Sequence, residues 1–169
     1  MTSLRPRNLN HAAYPTWDSQ ATYDFYTRVL GCELVAAVRA EQVPSTGDPA
    51  PFLHTFYALS SGECVAFFEI DGLPPAGDDG IPEWVRHIAF NVETAEDLDR
   101  WQERLRAEDI DYRGPVDHDG TWTSIYFFDP NGVRLELTHQ SRQLDDGDRQ
   151  AAVGELARWS AERRAVGAH

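Results

Sequence analysis

The chain has 169 residues, of which 41% are hydrophobic, so it is long enough to bury the core of one domain. Its formal net charge of −13 argues against nucleic acid or an anionic membrane surface as a partner. The sequence has neither an apolar run of about 18 residues nor a signal-like N-terminus, so we expect a cytoplasmic protein without membrane association. All 15 basic residues are arginine, which excludes lysine Schiff-base chemistry and a Walker-type phosphate loop.

The first half of the chain, at about residues 8–71, follows the order β-α-β-β-β. An extended segment that contains His11 precedes a helical pattern, for which Asp18 is a suitable N-cap and Gly31 a suitable stop. Three strand-like segments follow, with the sequences ELVAAVRA, FLHTFYAL and ECVAFFEI. This half therefore predicts a βαβββ module.

The second half, at about residues 84–139, repeats that order. Its first strand contains His87, and its helix begins at Thr94, which resembles the start of a capping box with Asp97. Because the two halves match, we predict an α+β fold in which two paired βαβββ modules form a cupped mixed sheet with the helices outside. Residues 1–140 would then be a single domain.

The remaining residues, 141–169, are predicted to form an acidic linker and then an amphipathic helix. Ala152, Leu156 and Trp159 recur along one side of that helix. We expect this apolar side to dock on the domain of its own chain; a lid or a subunit contact is the alternative.

The last two strands are predicted to form a hairpin around the sequence Asp-Pro-Asn-Gly. This sequence favours a type I turn followed by a glycine bulge, which is a three-residue loop. Asp129 should then face Val133, and Tyr126 should face Glu136 across the two strands. The opposite face would be apolar and would pack under a helix; it consists of Ile125, Phe127, Val133, Leu135 and Leu137.

Four metal-ligand side chains occupy matching places in the two halves. Strand alternation predicts that His11, Glu69, His87 and Glu136 all lie on the sheet faces that point away from the helices. Paired modules would bring these faces together as the lining of a cup. Burying these groups without a cation would cost several kcal/mol, about the penalty of an uncompensated charge, so the pattern predicts a metal site.

At this point the sequence resembles the vicinal oxygen chelate superfamily of glyoxalases, extradiol dioxygenases and antibiotic-resistance proteins. The resemblance covers roughly Leu9 to His139 and implies paired modules around one divalent metal ion. It implies that His11, His87 and Glu136 form a triad of two histidines and one carboxylate. It also implies that Glu69 matches the fourth ligand of glyoxalase-type members.

A narrower resemblance concerns the run VDHDGTWTSIYFFDPNGVRLE, which is similar to the signature of type I extradiol ring-cleaving dioxygenases. It implies that His118 and Tyr126 are catalytic residues on the substrate side of the metal. Two-domain extradiol enzymes have a further active-site histidine near the position of Glu69 here. His54, in the neighbouring strand, is a candidate to replace it, although a structural role is equally compatible with the sequence.

The resemblance leaves three functions open. The first is an Fe²⁺ extradiol dioxygenase that opens a small catechol with O₂; the second is a glyoxalase-like isomerase, lyase or epimerase that uses Ni²⁺, Zn²⁺, Co²⁺ or Mn²⁺. The third is a protein that binds an aromatic antibiotic without catalysis. The expected partners are a small aromatic substrate and O₂, and we expect a homodimer. The predicted substrate-binding residues are His54, Phe67, Trp122, Phe128 and Arg134.

Overall fold

The computed structural model describes residues 4–74, 77 and 79–165. Two βαβββ modules follow each other along the chain, as the sequence predicts, and a long helix comes after them. Module one consists of β1 His11–Thr16, α1 Ser19–Asp24 with its π-helical continuation Phe25–Val29, β2 Glu33–Gln42, β3 Pro49–Ala58 and β4 Cys64–Ile70. Module two consists of β5 His87–Val92, α2 Ala95–Ala107, β6 Arg113–His118, β7 Trp122–Phe128 and β8 Arg134–Gln140, and it is followed by α3 Asp146–Ala165.

Each module forms its own four-stranded mixed sheet. Sheet one has the strand order β1-β4-β3-β2, and sheet two has the equivalent order β5-β8-β7-β6. In both sheets the first strand pairs in parallel with the last strand of the module, and the remaining pairs are antiparallel. The predicted α+β class and the paired modules are confirmed.

Side-chain caps fix where the first two helices begin. The Asp18 carboxylate accepts hydrogen bonds from the backbone N–H groups of Gln20 and Ala21, each at 2.9 Å. The Thr94 hydroxyl accepts one from the backbone N–H of Asp97 at 3.0 Å. Both predicted N-caps are therefore confirmed.

The helix-facing sides of the two sheets share one apolar core. Tyr26, in the π-helical turn, packs on Tyr57 and Phe67 of sheet one, with ring centroids 5.2 and 5.0 Å away. Its neighbour Phe25 reaches Phe127 of sheet two at 6.5 Å. The core cluster also includes the predicted apolar face of the last hairpin, namely Ile125, Phe127, Leu135 and Leu137.

The C-terminal helix does not pack on this core. Leu156 is 67% exposed and Trp159 is 58% exposed, so the predicted docking of α3 on its own domain is wrong. Within the described part of the chain, no helix combines the length and the apolar character that spanning a membrane requires.

Candidate metal and substrate site

Two of the predicted ligands meet on the exposed face of sheet two. His87 opens β5, which pairs in parallel with β8 so that Ala89 lies opposite Glu136. This register brings Nε2 of His87 to 3.0 Å from Oε2 of Glu136. Only 7% of Glu136 is exposed, whereas His87 lies at the surface. A nearly buried carboxylate oxygen and an imidazole nitrogen therefore share one small volume.

The two residues of the dioxygenase-like signature lie beside this pair. Tyr126 stands opposite Glu136 across β7 and β8, as predicted, and its phenol oxygen lies 2.9 Å from Nε2 of His118. Burial and then the negative charge of Glu136 raise the pKa of the Tyr126 phenol. The phenol therefore stays protonated at neutral pH and can donate a hydrogen bond. The side chains from His118 through Tyr126 and Glu136 to His87 form one row, which we call the polar row.

The turn between β7 and β8 fixes the register of the polar row. The Asp129 backbone N–H donates to the carbonyl oxygen of Val133 at 3.0 Å, and Gly132 has a φ of 77°, in the left-handed region that glycine tolerates. One carboxylate oxygen of Asp129 accepts hydrogen bonds from the backbone N–H groups of Asn131 and Val133, both at 2.8 Å. The predicted three-residue loop is confirmed.

A residue of module one completes this turn. The hydroxyl of Tyr26 donates to the other carboxylate oxygen of Asp129 at 3.2 Å. Asp129 is only 5% exposed, and burial raises the pKa of its carboxyl group despite the hydrogen bonds it accepts. Sequence reasoning missed the role of Tyr26, because local patterns carry no signal for a contact across 103 residues.

His11 lies on the other sheet. Its ring is exposed, and Nδ1 lies 2.7 Å from the Asn10 side-chain oxygen. The ring of His54 is 6.2 Å from that of His11 and stacks on Phe68 at 3.6 Å. Among the described residues, no three His, Cys, Asp or Glu side chains are grouped so that they could hold a metal ion. A single copy of the chain therefore does not assemble the predicted triad.

The predicted position of Glu69 is wrong. Glu69 lies on the helix-facing side of β4, where its Oε2 accepts a hydrogen bond from the backbone N–H of Ser19 at 2.9 Å. Phe67 is on the same side and is fully buried in the core, so it does not line the substrate face either. The error arose because β4 is apolar on both faces, which leaves strand alternation without a clear inner side.

The register also shows which residue of module one corresponds to Glu136. β1 begins at His11 and pairs Ala13 with Ala66, just as β5 begins at His87 and pairs Ala89 with Glu136. Ala66, not Glu69, therefore occupies the matching place. Among the described residues, module one therefore has a histidine, His11, at the place of His87 but no carboxylate at the place of Glu136.

The remaining predicted substrate residues lie near the polar row. Trp122 and Phe128 share the face of Tyr126, because the three alternate along β7. Phe128 is 44% exposed and lines a cavity of about 450 Å³ together with His87 and Arg134. The guanidinium group of Arg134 lies over the Tyr126 ring, 4.4 Å from its centroid. This cavity adjoins the candidate metal ligands.

Comparison with known proteins identifies the family. The profile of the Glyoxalase/Bleomycin resistance protein/Dioxygenase superfamily matches residues 8–137. The chain belongs to this superfamily. The match spans both modules and includes His11, His87, His118, Tyr126 and Glu136.

Two relatives show how varied the chemistry of this superfamily is. MhqA of Bacillus subtilis, described as a ring-cleaving dioxygenase, is 29% identical over 140 residues, which are 80% of this chain and 41% of MhqA. The metallothiol transferase FosB of Bacillus licheniformis is 28% identical over 130 residues, which are 76% of this chain and 73% of FosB. The chain thus spans less than half the length of the dioxygenase relative and nearly three quarters of the transferase.

A solved superfamily structure has the same fold. The glyoxylase/bleomycin resistance protein/dioxygenase domain from Frankia sp. EAN1pec superposes with a TM-score of 0.66 at 20% identity, over 80% of this chain and 99% of that one. Members of the superfamily are metal-dependent. The donor atoms of His87 and Glu136 fit such an ion, because imidazole nitrogen and carboxylate oxygen suit divalent Fe, Ni, Co, Mn and Zn.

Proposed function

We propose that the protein is an Fe²⁺-dependent extradiol dioxygenase that opens the ring of a small catechol with O₂. The observation that carries this proposal is the polar row, in which the His118–Tyr126 contact of 2.9 Å lies beside the His87–Glu136 contact of 3.0 Å. In this proposal His118 and Tyr126 would form an acid–base pair, and His87 and Glu136 next to them on the same face would form a metal-ligand pair. The chain's similarity to MhqA supports the same reaction class.

We propose that His87 and Glu136 hold the metal and that His11 of a second copy of the chain completes the triad. The helix-facing sides of both sheets are already buried in one core, so the faces that carry His11 and His87 remain open to a partner. A symmetric dimer would place sheet one of each copy against sheet two of the other. This dimer is the homodimer that we expected from the sequence.

The absence of a carboxylate beside His11 favours three ligands over four. Ala66 stands where a second glutamate would lie, and its methyl group cannot bind a metal. Glu69, on the other side of the sheet, is engaged by Ser19. The four-ligand, glyoxalase-like alternative therefore lacks its fourth ligand, while a facial triad leaves positions for a catechol and O₂.

The metal would supply the electronic contact between catechol and O₂ and would lower the pKa of the catechol hydroxyls. Tyr126, which remains protonated, would donate a hydrogen bond to the substrate oxygen as negative charge develops there. His118, which contacts that phenol, would accept and return a proton as the general acid–base group. In the overall reaction a ring bond next to the diol breaks, and both atoms of O₂ enter the ring-opened product.

Aromatic side chains would orient the substrate ring. Trp122 and Phe128 lie on the same face as Tyr126 and offer flat surfaces for a catechol. His54, from the sheet of the second copy, would face the same space. The Nδ1 atom of His54 lies 3.0 Å from the Phe67 carbonyl oxygen; a proton on Nδ1 leaves Nε2 free to accept a hydrogen bond from the substrate.

The decisive experiment is anaerobic reconstitution with Fe²⁺, followed by addition of air-saturated buffer and a panel of catechols. We expect oxygen consumption equal to the catechol consumed, together with a yellow ring-opened product. Protein loaded with Zn²⁺ is the control and should consume no oxygen. The absence of oxygen uptake with every catechol, at full iron content, would rule out the proposal.

A metallothiol transferase is the second candidate. The chain is 28% identical to the transferase FosB over 73% of that protein, which is nearly the identity that it shares with MhqA. Loss of a free thiol in the presence of a divalent metal and an electrophilic acceptor, under nitrogen, would identify this activity. Because the dioxygenase reaction needs O₂ and the thiol transfer does not, the two assays separate the candidates.

A further inference from the structure

We propose that the substrate is a catechol with a carboxylate side chain, and that Arg134 binds this carboxylate. The inference rests on the dioxygenase proposal for the catechol ring of the substrate. What it adds is that the cavity selects a substrate with a negatively charged side chain. It is carried by the position of Arg134 between the polar row and the cavity, and by the absence of an ion-pair partner for Arg134 among the described residues.

Arg134 is the first residue of β8 and lies in register with His87 of β5. Its side chain is half-buried, and its guanidinium group lies over the ring of Tyr126, 4.4 Å from the centroid. Within the parts of the chain that the structure describes, no carboxylate lies within 4.0 Å of this guanidinium group to form an ion pair. The Tyr126 ring thus contacts the guanidinium group of Arg134, while the hydrogen-bond donors of that group remain available.

The cavity gives that charge an apolar setting. Its walls include Trp17, Ile81, Phe128 and Val133, and its volume is about 450 Å³, which suits a single aromatic ring with a short side chain. A cation in such surroundings loses hydration and is stabilised by a bound anion. An anionic group on the substrate would supply that partner.

Among the charged residues that line the cavity, Arg134 is the one that we expect to bind an anion. Arg86 forms an ion pair with Asp79, so its charge is compensated within the protein. Glu83 also lines the cavity, but its side chain is exposed on the loop that precedes β5. One guanidinium group matches the single charge and planar shape of a carboxylate.

The first test compares two catechols that differ only in charge, 3,4-dihydroxyphenylacetate and its methyl ester. In the Fe²⁺-loaded protein we expect kcat/KM for the acid to exceed that for the ester by about tenfold or more, as a partly buried charged hydrogen bond provides. Arg134→Gln should bring this ratio close to one, and Arg134→Lys should retain part of it. The matched control, Arg86→Gln, should keep the ratio of the unmodified protein.

The second test measures binding without turnover, so that it does not depend on the dioxygenase proposal. Calorimetric titration of the protein, under nitrogen and with or without Fe²⁺, should show tighter binding of phenylacetate than of phenylacetamide, and Arg134→Gln should remove the difference. Equal affinity for the two compounds, or a preference that survives Arg134→Gln, would overturn the inference. If the protein consumes no oxygen with any catechol, the dioxygenase proposal is overturned. The binding measurement then still decides whether Arg134 binds a carboxylate.

Discussion

The two modules share a fold down to the turn before the last strand, yet only one of them has a polar row. In module two the Asp129 backbone N–H donates to the Val133 carbonyl at 3.0 Å, and in module one Leu59 makes the same bond to Glu63 at 2.9 Å. The turns match in hydrogen bonding, but only the one in module two has a buried carboxylate at its first position.

The exposed faces of the two sheets differ more strongly than the turns. In sheet two this face brings together His87, Glu136 and the phenol of Tyr126. In sheet one the corresponding face is aromatic, with His54 stacked on Phe68 and His11 packed edge-on against Phe56 at 5.2 Å. The same scaffold therefore supplies most of the proposed metal site in one copy of the repeat, and an aromatic wall with one proposed ligand in the other.

The sharpest test of this contrast compares the two glutamates. Glu136→Ala should lower iron affinity by at least about 100-fold and abolish oxygen consumption, because it removes an anionic ligand. Glu69→Ala should leave iron content unchanged. It should lower the unfolding free energy by about 1 kcal/mol, because the N-terminus of α1 loses a charged hydrogen bond. Iron analysis and thermal unfolding measure both effects, and loss of iron from Glu69→Ala would contradict our assignment of the two residues.

The next largest effect should come from His118. His118→Ala should reduce kcat by about 100- to 10,000-fold, the usual contribution of a general acid–base group, while iron stays bound. His139→Ala is the matched control, because His139 lies in β8 of the same sheet, where strand alternation puts it on the face opposite to Glu136. Single-turnover kinetics and iron analysis together provide the measurement. Unchanged turnover in His118→Ala would show that the signature match is misleading.

A mixing experiment tests whether the two modules that share a metal belong to different chains. His11→Ala and His87→Ala should each be inactive alone. After subunit exchange, half of the dimers are mixed and each has one intact site of two, so activity should recover to about one quarter of the unmodified level. Native mass spectrometry confirms that mixed dimers form. Mixed dimers without activity would place all three ligands within one chain.

The smallest expected effect concerns the buried carboxyl group of Asp129. Burial raises its pKa in the folded state, so the folded protein binds more protons than the unfolded chain just above the ordinary aspartate pKa of about 4. In that range the contribution of Asp129 to stability falls as the pH rises. Asp129→Asn should therefore become more stable relative to the unmodified protein between about pH 4 and pH 7. Urea denaturation across this range measures the difference, and a constant or opposite difference would contradict the assignment.

Local patterns in the sequence predicted the βαβββ repeat, both N-caps and the pairing of Tyr126 with Glu136. The pairing of Tyr126 with Glu136 could be predicted because Asp-Pro-Asn-Gly determines the loop length, and the loop length determines the register. The face of β4 that carries Glu69 could not be predicted, because the residues that precede Glu69 are apolar on both sides of the strand. The position of His11 relative to His87 depends on how two sheets pack, which no local pattern specifies.

The bond that Tyr26 donates to Asp129 has a further consequence for the repeat. A chain built from two repeats can often be divided into two pieces that fold on their own. Here this division would separate the Tyr26 phenol from the buried Asp129 carboxylate that accepts its hydrogen bond. Residues 84–140 alone should therefore be less stable than they are within the intact chain. The two repeats form one folding unit through their shared apolar core, and this hydroxyl group ties that core to the turn before the last strand.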